Sequence, residues 1–254
     1  ADEADVEIVR PLLAMPKTRL LATLKARALD WVEDPSNDCL DYERVRLRAA
    51  KSELAALGLA NDKLALSARR LARAREALDV ATSDLVIAAV DSHEGVFASI
   101  DRAAFLAAAP ELRVRVLMRV LKAFGGGAKA PRLVKVESLA EELGGHEKVA
   151  LTLGGCLIRA RAKDISVFRE QDRYDLPQIQ LEPGSGAIWD RRFRVSLGSA
   201  RKLAAAGVKQ PVMVRALGAG AYATLRARLA PAGRPLSQAA ATLPSFWAGE
   251  ELIA

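Results

Sequence analysis

The spacing of apolar residues changes once along the chain, near residue 146, and this change constrains the fold more than any other feature. Before that point, apolar residues recur every three or four positions, which is the period of one face of an α-helix. From Val149 onward, apolar and polar residues alternate in short runs, as they do in half-buried β-strands. The sequence therefore predicts an α+β protein in which a mainly α-helical domain precedes a smaller β-containing domain.

The apolar stripes of the first part predict five helices, at residues 16–29, 41–57, 62–90, 110–124 and 133–143. In the second helix, the predicted buried stripe is Leu47, Ala50, Leu54 and Leu57. In the third helix, leucine recurs every seven residues from Leu64 to Leu85, and a small residue follows three positions after each leucine. This pattern predicts close antiparallel packing of helices within one domain. Ser99 or Asp101 is expected to cap a further short helix.

The second part reads as short strands separated by glycine-containing turns. Val149–Leu153 and Cys156–Arg161 are predicted to form a hairpin around two glycines, with Ile165–Arg169 as a third strand. Trp189–Leu197 alternates well enough to predict a fourth strand. The end of the chain predicts helices near 199–206 and 221–229, and a strand at 212–215. Four aromatic residues fit either base stacking or, more commonly, core packing: Trp189, Phe193, Phe246 and Trp247.

Positive charge is concentrated in one segment of the chain. Residues 44–75 hold nine Lys or Arg against two carboxylates, an excess of seven that equals the net charge of +7 of the whole chain. Such a cluster is typical of proteins that bind a polyanion, although a solvated helical surface is the alternative. The segment begins with Arg44, Arg46 and Arg48, directly after the turn Asp34-Pro35-Ser36-Asn37.

Motifs for catalysis, metal binding and membrane insertion are missing from the sequence. Two histidines and two cysteines lack metal-ligand spacing, and no Walker A, Rossmann or nucleophile-elbow motif occurs. No apolar run approaches the roughly 18 residues of a membrane helix, and the acidic N-terminus is unlike a secretory signal. We therefore expect a reducing cytoplasmic location and no membrane partner. The chain starts at Ala1 without methionine, as expected for a fragment or a trimmed chain.

Three motifs resemble, in order, a signature of the tRNA(Ile)-lysidine synthase family. The first is Arg10-Pro11-Leu12-Leu13 followed by Pro16 and a helix, and the second is Trp31-Val32-Glu33-Asp34-Pro35-Ser36-Asn37. The third is Tyr42-x-Arg44-x-Arg46-x-Arg48, where the family usually reads Tyr-x-Arg-Asn-Arg-Ile-Arg. Val45 and Leu47 replace the usual Asn and Ile. A looser match follows at Leu153-Gly-Gly-x-Leu-Ile-Arg159.

The resemblance implies a ligase that uses ATP to adenylate the wobble cytidine of an isoleucine tRNA, after which lysine displaces AMP to give lysidine. The Ser-Gly-Gly-x-Asp-Ser loop that binds ATP in this family is absent from the sequence. We therefore expect the chain to lie C-terminal to the PP-loop domain, with ATP and Mg²⁺ bound by that missing domain, no cofactor in this chain, and no activity for the chain alone.

On this interpretation, residues 1–40 are the end of the catalytic domain, residues 41–146 the tRNA-binding helical domain, and residues 147–254 a small α/β domain. A non-catalytic helical module that binds RNA or protein is the alternative. An enzyme with an unrecognised site in the β-containing part is a third interpretation. The oligomeric state, the residues that read the anticodon and the lysine pocket stay open.

Cationic side chains on the predicted helices are the candidates for contacting tRNA phosphates. They are Arg44, Arg46, Arg48, Lys51, Arg69, Arg73, Arg115, Arg119 and Lys122, together with Arg70 and Arg75. By resemblance, Arg44 also lies at the edge of the active site. Arg46 has an alternative role, which is to pair with Glu33 or Asp34 of the turn. Base contacts are expected from the loop Gly125–Arg132, with Lys129 and Arg132, or from the strand Trp189–Leu197.

Overall fold

The computed structural model describes residues 9–12, 15–127, 130–171, 176–208, 211–229 and 235–253. The chain separates into two compact units, residues 1–71 and 72–254. Helices and antiparallel sheets are both present, so the predicted α+β class is confirmed. Within the described residues, no helix has the length and apolar character needed to cross a membrane.

The first unit contains short helices with little burial. They are α1 (Lys17–Ala26), a 3₁₀-helix (Pro35–Asp38), α2 (Glu43–Ala49), α3 (Lys51–Ala56) and the start of α4 (Asn61–Ala89). The helix predicted at 41–57 is divided at Ala50, where ψ is 3°. The predicted buried stripe is wrong, because Leu47 and Leu57 are 56% and 78% exposed and no residue of α1, α2 or α3 is buried.

Only the second half of α4 packs against a core. Thr82 and Ala89 are buried, and Leu85 packs against the neighbouring apolar cluster. Leu64 and Leu71, by contrast, are 45% and 71% exposed. Close packing along the whole leucine pattern is therefore wrong for the first half of the helix. A period of seven predicts a continuous apolar face, but burial depends on whether another element covers that face.

An antiparallel sheet of five strands forms the centre of the second unit, with strand order β1-β2-β5-β4-β3. The strands are β1 (Val90–Asp91), β2 (Phe97–Asp101), β3 (Val149–Leu153), β4 (Cys156–Ala160) and β5 (Asp164–Arg169). Helices α5 (Arg102–Ala107), α6 (Pro110–Phe124) and α7 (Leu133–Gly145) complete this layer. The predicted helices at 110–124 and 133–143, the glycine hairpin and the third strand are confirmed.

Strands β1 and β2 were not predicted, and they join the two parts of the chain. β2 pairs with β5 from Phe97↔Phe168 to Asp101↔Asp164. Ile100 of β2, Leu117 of α6 and Ile158 of β4 are fully buried in one apolar cluster. The expected boundary at residue 146 therefore crosses a packed core. The assignment of functional domains at 1–40, 41–146 and 147–254 stays a prediction.

A buried arginine closes the end of this layer. Arg102 is 6% exposed, and its guanidinium donates to the carbonyl oxygens of Leu143, His146, Glu147 and Arg161. Three of these carbonyls lie at or after the C-terminus of α7, where helix carbonyls lack intrahelical donors. The neighbouring Asp101 caps α5 by accepting a hydrogen bond from the Ala104 N–H at 2.7 Å, as predicted.

A second sheet contains β6 (Ile179–Leu181), β9 (Val212–Ala216), β10 (Pro244–Ala248) and β11 (Glu251–Leu252), in the order β11-β10-β9-β6. A separate hairpin is formed by β7 (Gly186–Trp189) and β8 (Phe193–Ser196), and three helices accompany the strands: α8 (Ala200–Ala205), α9 (Gly218–Arg226) and α10 (Ser237–Ala240). The predicted fourth strand at Trp189–Leu197 is confirmed for Phe193–Ser196, but it does not extend back to Trp189 as one strand. Asp190 and Arg191 have φ values of 46° and 56° and turn the chain back.

A buried ion cluster connects the five-stranded sheet to the hairpin. Asp190 accepts from Arg169 Nε at 2.9 Å and from Arg192 Nε at 2.8 Å, and all three side chains are at most 6% exposed. Arg192 also donates to the Thr242 carbonyl oxygen at 3.0 Å. Gly126 belongs to this contact, since a Cβ there would lie 2.5 Å from Asp190 Oδ1.

Candidate nucleic-acid interface

The Asp-Pro-Ser-Asn turn is held by its own first residue. Asp34 Oδ1 accepts a hydrogen bond from the Ser36 N–H at 2.9 Å, and the Asp34 carbonyl oxygen accepts from Asn37 N–H at 3.0 Å. The backbone and side-chain hydrogen bonds of Ser36 lower the pKa of Asp34 below its ordinary value. The carboxylate is therefore charged at neutral pH and fixes the direction in which the chain leaves the turn.

A cleft of about 840 Å³ opens beside this turn. It combines two cations, two carboxylates, an aromatic ring and an amide, contributed by Lys17, Trp31, Glu33, Asp34, Asn37 and Arg48, with Val32 and Pro35. Lys17 begins α1, while Arg48 lies near the end of α2. Sequence reasoning did not identify Lys17 or Trp31 as site residues. Lys17 lies outside the motifs, and the motif that begins with Trp31 does not by itself predict a cleft, because the cleft exists only where α1, the turn and α2 meet.

The Arg46 side chain is bound to the backbone just before α2. Its Nη1 donates to the carbonyl oxygens of Leu40 and Asp41, each at 2.9 Å. The alternative that it pairs with Glu33 or Asp34 is therefore wrong, because the guanidinium reaches the chain just before α2 and not the turn carboxylates. These contacts hold the entry into α2. An RNA contact by Arg46 stays a prediction, and this geometry favours it less than it favours the neighbouring arginines.

Arg44, Arg48 and Lys51 are exposed. Within the described part of the chain, none of their side chains makes a hydrogen bond or an ion pair. Arg44 and Arg48 are one turn apart on α2 and thus share a face of that helix. Lys51 begins the separate helix α3. Arg48, and not Arg44, lines the cleft, whereas the resemblance places Arg44 at the edge of the active site.

Arg69 and Arg73 lie one turn apart on α4 and are also exposed. Neither forms an ion pair with any carboxylate in the described ranges, and the same holds for Arg70. Arg75 lies 3.5 Å from Asp79, and its side chain is 77% exposed. The guanidinium groups of Arg69, Arg70 and Arg73, which form no ion pair within the described ranges, are compatible with the predicted phosphate contacts, which stay predictions.

Two arginines of α6 are already engaged with α4. Arg115 contacts Asp79 at 2.8 Å and Glu111 at 2.6 Å, and the hydrogen bond with Glu111 raises its pKa. Arg119 donates to Ser83 Oγ at 2.9 Å and to the Asp79 carbonyl oxygen at 3.0 Å. These contacts hold α6 against α4, so the geometry favours a structural role for both arginines. Lys122 is exposed and has no such contact among the described residues.

The two candidates for base contacts differ from expectation. Lys129 lies outside the described residues. Gly125 packs tightly, since a Cβ there would lie 2.0 Å from the Gly154 carbonyl oxygen. Trp189 is fully buried and donates its indole N–H to the Pro177 carbonyl oxygen at 2.8 Å, so it is a core residue. Arg132 remains a candidate at the start of α7.

The remaining reactive side chains provide little for catalysis. Burial raises the pKa of the Cys156 thiol to about 12, which keeps it protonated at neutral pH. His93 stacks on Phe97 with ring centroids 4.1 Å apart and shares a hydrogen bond with Ser99 Oγ. No cluster of three or more His, Cys, Asp or Glu suited to a metal ion occurs within the described ranges. The expected Mg²⁺ therefore stays a prediction.

Comparison with known families matches the beginning of the chain to a PP-loop domain. Residues 1–53 match the family model described as a PP-loop domain, ATP_bind_3. The expectation that the whole chain lies C-terminal to this domain is therefore wrong, as is the expectation that no ATP-related part belongs to this chain. This match does not test the predicted inactivity of the chain alone, which stays a prediction. The error came from equating the domain with its Ser-Gly-Gly-x-Asp-Ser loop, although a domain extends well beyond one loop.

Curated relatives support the family resemblance. The chain is 33% identical to a tRNA(Ile)-lysidine synthase of Ruegeria pomeroyi, across 98% of this chain and 55% of the relative. It is 30% identical to that of Rhizobium meliloti, across 78% of this chain and 42% of the relative. For Orientia tsutsugamushi the identity is 29%, across 75% and 44%. The chain thus spans about half the length of these relatives. Its sequence is similar to tRNA(Ile)-lysidine synthases over nearly its whole length.

Proposed function

We propose that this chain is part of a tRNA(Ile)-lysidine synthase and that its exposed arginines bind the phosphate backbone of isoleucine tRNA. The observation that carries the proposal is a set of cations on α2 and α4 that form no hydrogen bond or ion pair with any described residue: Arg44, Arg48, Arg69 and Arg73. The similarity to named lysidine synthases supports the identity of the polyanion.

The physical basis is the way that guanidinium groups bind phosphate. Arginine stays charged at neutral pH and donates two parallel hydrogen bonds to phosphate oxygens. Each phosphate contact releases condensed counterions, so affinity falls as salt rises. Such contacts orient an RNA without reading its sequence. Arg44 and Arg48 share a helix face, which lets one segment of backbone meet both side chains.

The cleft beside the turn is proposed as a part of the site that faces ATP or the reacting nucleotide. Every residue that lines it, from Lys17 to Arg48, lies within the 1–53 segment that matches the PP-loop domain. Lys17 and Arg48 would contact phosphate groups, and Trp31, which is 39% exposed, would pack against a base. Glu33 and Asp34 would repel a second anion and so limit where phosphates bind.

The whole reaction follows from the family resemblance. In the complete protein, ATP would adenylate the wobble cytidine and lysine would displace AMP to form lysidine. The residues of this chain would orient the RNA and present cations to the nucleotide. Lysine, ATP and isoleucine tRNA are therefore the proposed substrates, and Mg²⁺ is the proposed metal.

Lysine incorporation into an isoleucine tRNA transcript tests the proposal. The complete protein is incubated with ATP and labelled lysine, and lysidine is identified by mass spectrometry of the RNA digest. Replacing Arg48 or Lys17 by Ala removes a charge-assisted hydrogen bond, so we expect the KM for ATP to rise about tenfold or more. Lys25→Ala is the matched control, because Lys25 is exposed on α1 but does not line the cleft.

Two results would contradict the proposal. Absence of lysidine with cognate tRNA, despite tight RNA binding, would indicate a binding module without this chemistry. Equal KM values for Lys17→Ala, Arg48→Ala and Lys25→Ala would mean that the cleft does not contact the nucleotide.

A further inference from the structure

A second cleft, on the C-terminal sheet, has the features of a binding site for one nucleotide. Its volume is about 630 Å³, which lies within the roughly 300–1,000 Å³ typical of small-molecule pockets. Gln171, Gln178, Arg215 and Trp247 supply its polar and aromatic groups, and Leu176 and Leu217 are among its apolar residues. All of them belong to the second unit of the chain.

Strand register explains why these side chains meet. Arg215 of β9 pairs with Ser245 of β10, and Trp247 is two residues further along β10. Residues directly opposite each other and residues two apart lie on the same face of a sheet, so Arg215 and Trp247 are diagonal neighbours. On the other side of β9, Ile179 of β6 pairs with Val214. Gln178, one residue earlier, therefore continues to the face of Arg215.

The indole ring holds the arginine flat and is itself fixed. The Arg215 guanidinium carbon lies 4.0 Å from the ring centroid of Trp247. Trp247 is 9% exposed, and its indole N–H donates to Ser245 Oγ at 2.8 Å. Ser245 Oγ in turn donates to the Arg215 carbonyl oxygen at 2.9 Å. This chain of contacts reduces the freedom that Arg215 would lose on binding a ligand.

The arginine is nevertheless available to an incoming anion. Its ion-pair partner, Glu250, lies 3.5 Å away and is 95% exposed, so water and salt screen the pair. The amides of Gln171 and Gln178 have no hydrogen-bond partner among the described residues. The cleft thus offers a cation with an open planar face and two amides that can both donate and accept.

We propose that this cleft binds one unpaired nucleotide of an RNA, with the base stacked on the Arg215 guanidinium. Unpaired bases in RNA complexes stack on aromatic rings or guanidinium planes and are read through hydrogen bonds at their edges. Gln171 and Gln178 would provide those hydrogen bonds. The choice of RNA as the partner rests on the proposed function, whereas the choice of an unpaired nucleotide rests on the cleft itself.

NMR signals of the tryptophan indole N–H groups provide a direct test, because the chain has only three tryptophans. The protein is labelled at the indole nitrogens, and the Trp247 signal is assigned with Trp247→Phe. The probes are a single-stranded RNA heptanucleotide of mixed sequence and a duplex that contains the same strand. We expect the heptanucleotide to shift the Trp247 signal and the duplex to leave it unchanged.

Substitutions at Arg215 and Arg201 distinguish the contribution of base stacking from the contribution of positive charge. Arg215→Ala should weaken heptanucleotide binding by about fivefold to 160-fold, the range for loss of one stack between a base and an aromatic side chain. Arg215→Lys should recover little of this loss, because lysine keeps the charge but lacks the planar face. Arg201→Ala removes the same charge from an exposed position on α8 and should change binding less than twofold.

The proposal is overturned if Arg215→Ala and Arg201→Ala bind the heptanucleotide equally, or if the Trp247 signal does not respond. It is also overturned if a heptaglutamate peptide shifts that signal and RNA does not, since the cleft would then take an acidic protein segment. Lysidine formation is measured separately. If the heptanucleotide does not bind at this cleft but the complete protein still forms lysidine, only the present inference is refuted.

Discussion

Individual arginines in this chain have different roles, and a sequence motif does not distinguish between them. Arg44 and Arg48 are exposed and unpaired in the described structure, whereas Arg46, between them, donates to two carbonyl oxygens before α2. The motif predicts three cations at alternate positions. It cannot predict which of them turns back onto the backbone, because that depends on the path of the chain before the helix.

Arg102 is a buried cation whose hydrogen bonds hold the end of α7. We predict that Arg102→Met lowers the free energy of unfolding of the second unit by about 3 kcal/mol or more, since the α7 carbonyls lose their donors and stay buried. Urea denaturation followed by circular dichroism measures the change. Arg194→Met, at an exposed position of β8, is the control and should cost less than about 0.5 kcal/mol. Equal effects would mean that Arg102 does not hold the end of α7.

The spacing of apolar residues predicted burial well for helices and strands that pack against another element. It predicted burial poorly for helices that do not. The strongly amphipathic helix α6 was predicted at its observed bounds, and Leu117 and Leu121 are buried as its pattern requires. Strand β1 escaped prediction because Val90–Asp91 is too short to show alternation. Strand β2 was missed as well, and its place beside β5 is a long-range pairing that local sequence does not encode.

The ion cluster between the elements is expected to act as one unit. Asp190→Ala would leave Arg169 and Arg192 buried without their shared carboxylate, so we predict a loss of about 3–5 kcal/mol in stability. Chemical denaturation gives this value, and Asp84→Ala on the exposed surface of α4 is the control. A change below about 1 kcal/mol would show that water satisfies these arginines after the substitution.

For the whole molecule, the sequence predicted the fold class, the basic segment and the relation to lysidine synthases. Both clefts escaped prediction, because each combines residues from elements that are distant in sequence or separated by a turn. The PP-loop match at residues 1–53 was also missed, since it depends on the overall pattern of the segment and not on its loop motif. Charge is additive along a sequence, whereas concave sites arise only from packing.

The most direct test of the central claim is the salt dependence of tRNA binding. The affinity of the chain for isoleucine tRNA is measured from 50 to 200 mM salt for the wild type, for Arg44→Ala/Arg48→Ala and for Arg115→Ala/Arg119→Ala, with stability checked by thermal melting. Both double variants lose two positive charges, but Arg115 and Arg119 are already paired with α4. We predict that Arg44→Ala/Arg48→Ala lowers the slope of log affinity against log salt by about 1 to 2, and that the other variant changes it by less than about 0.5. Identical slopes for all three proteins would contradict the claim that the unpaired arginines of α2 bind the RNA backbone.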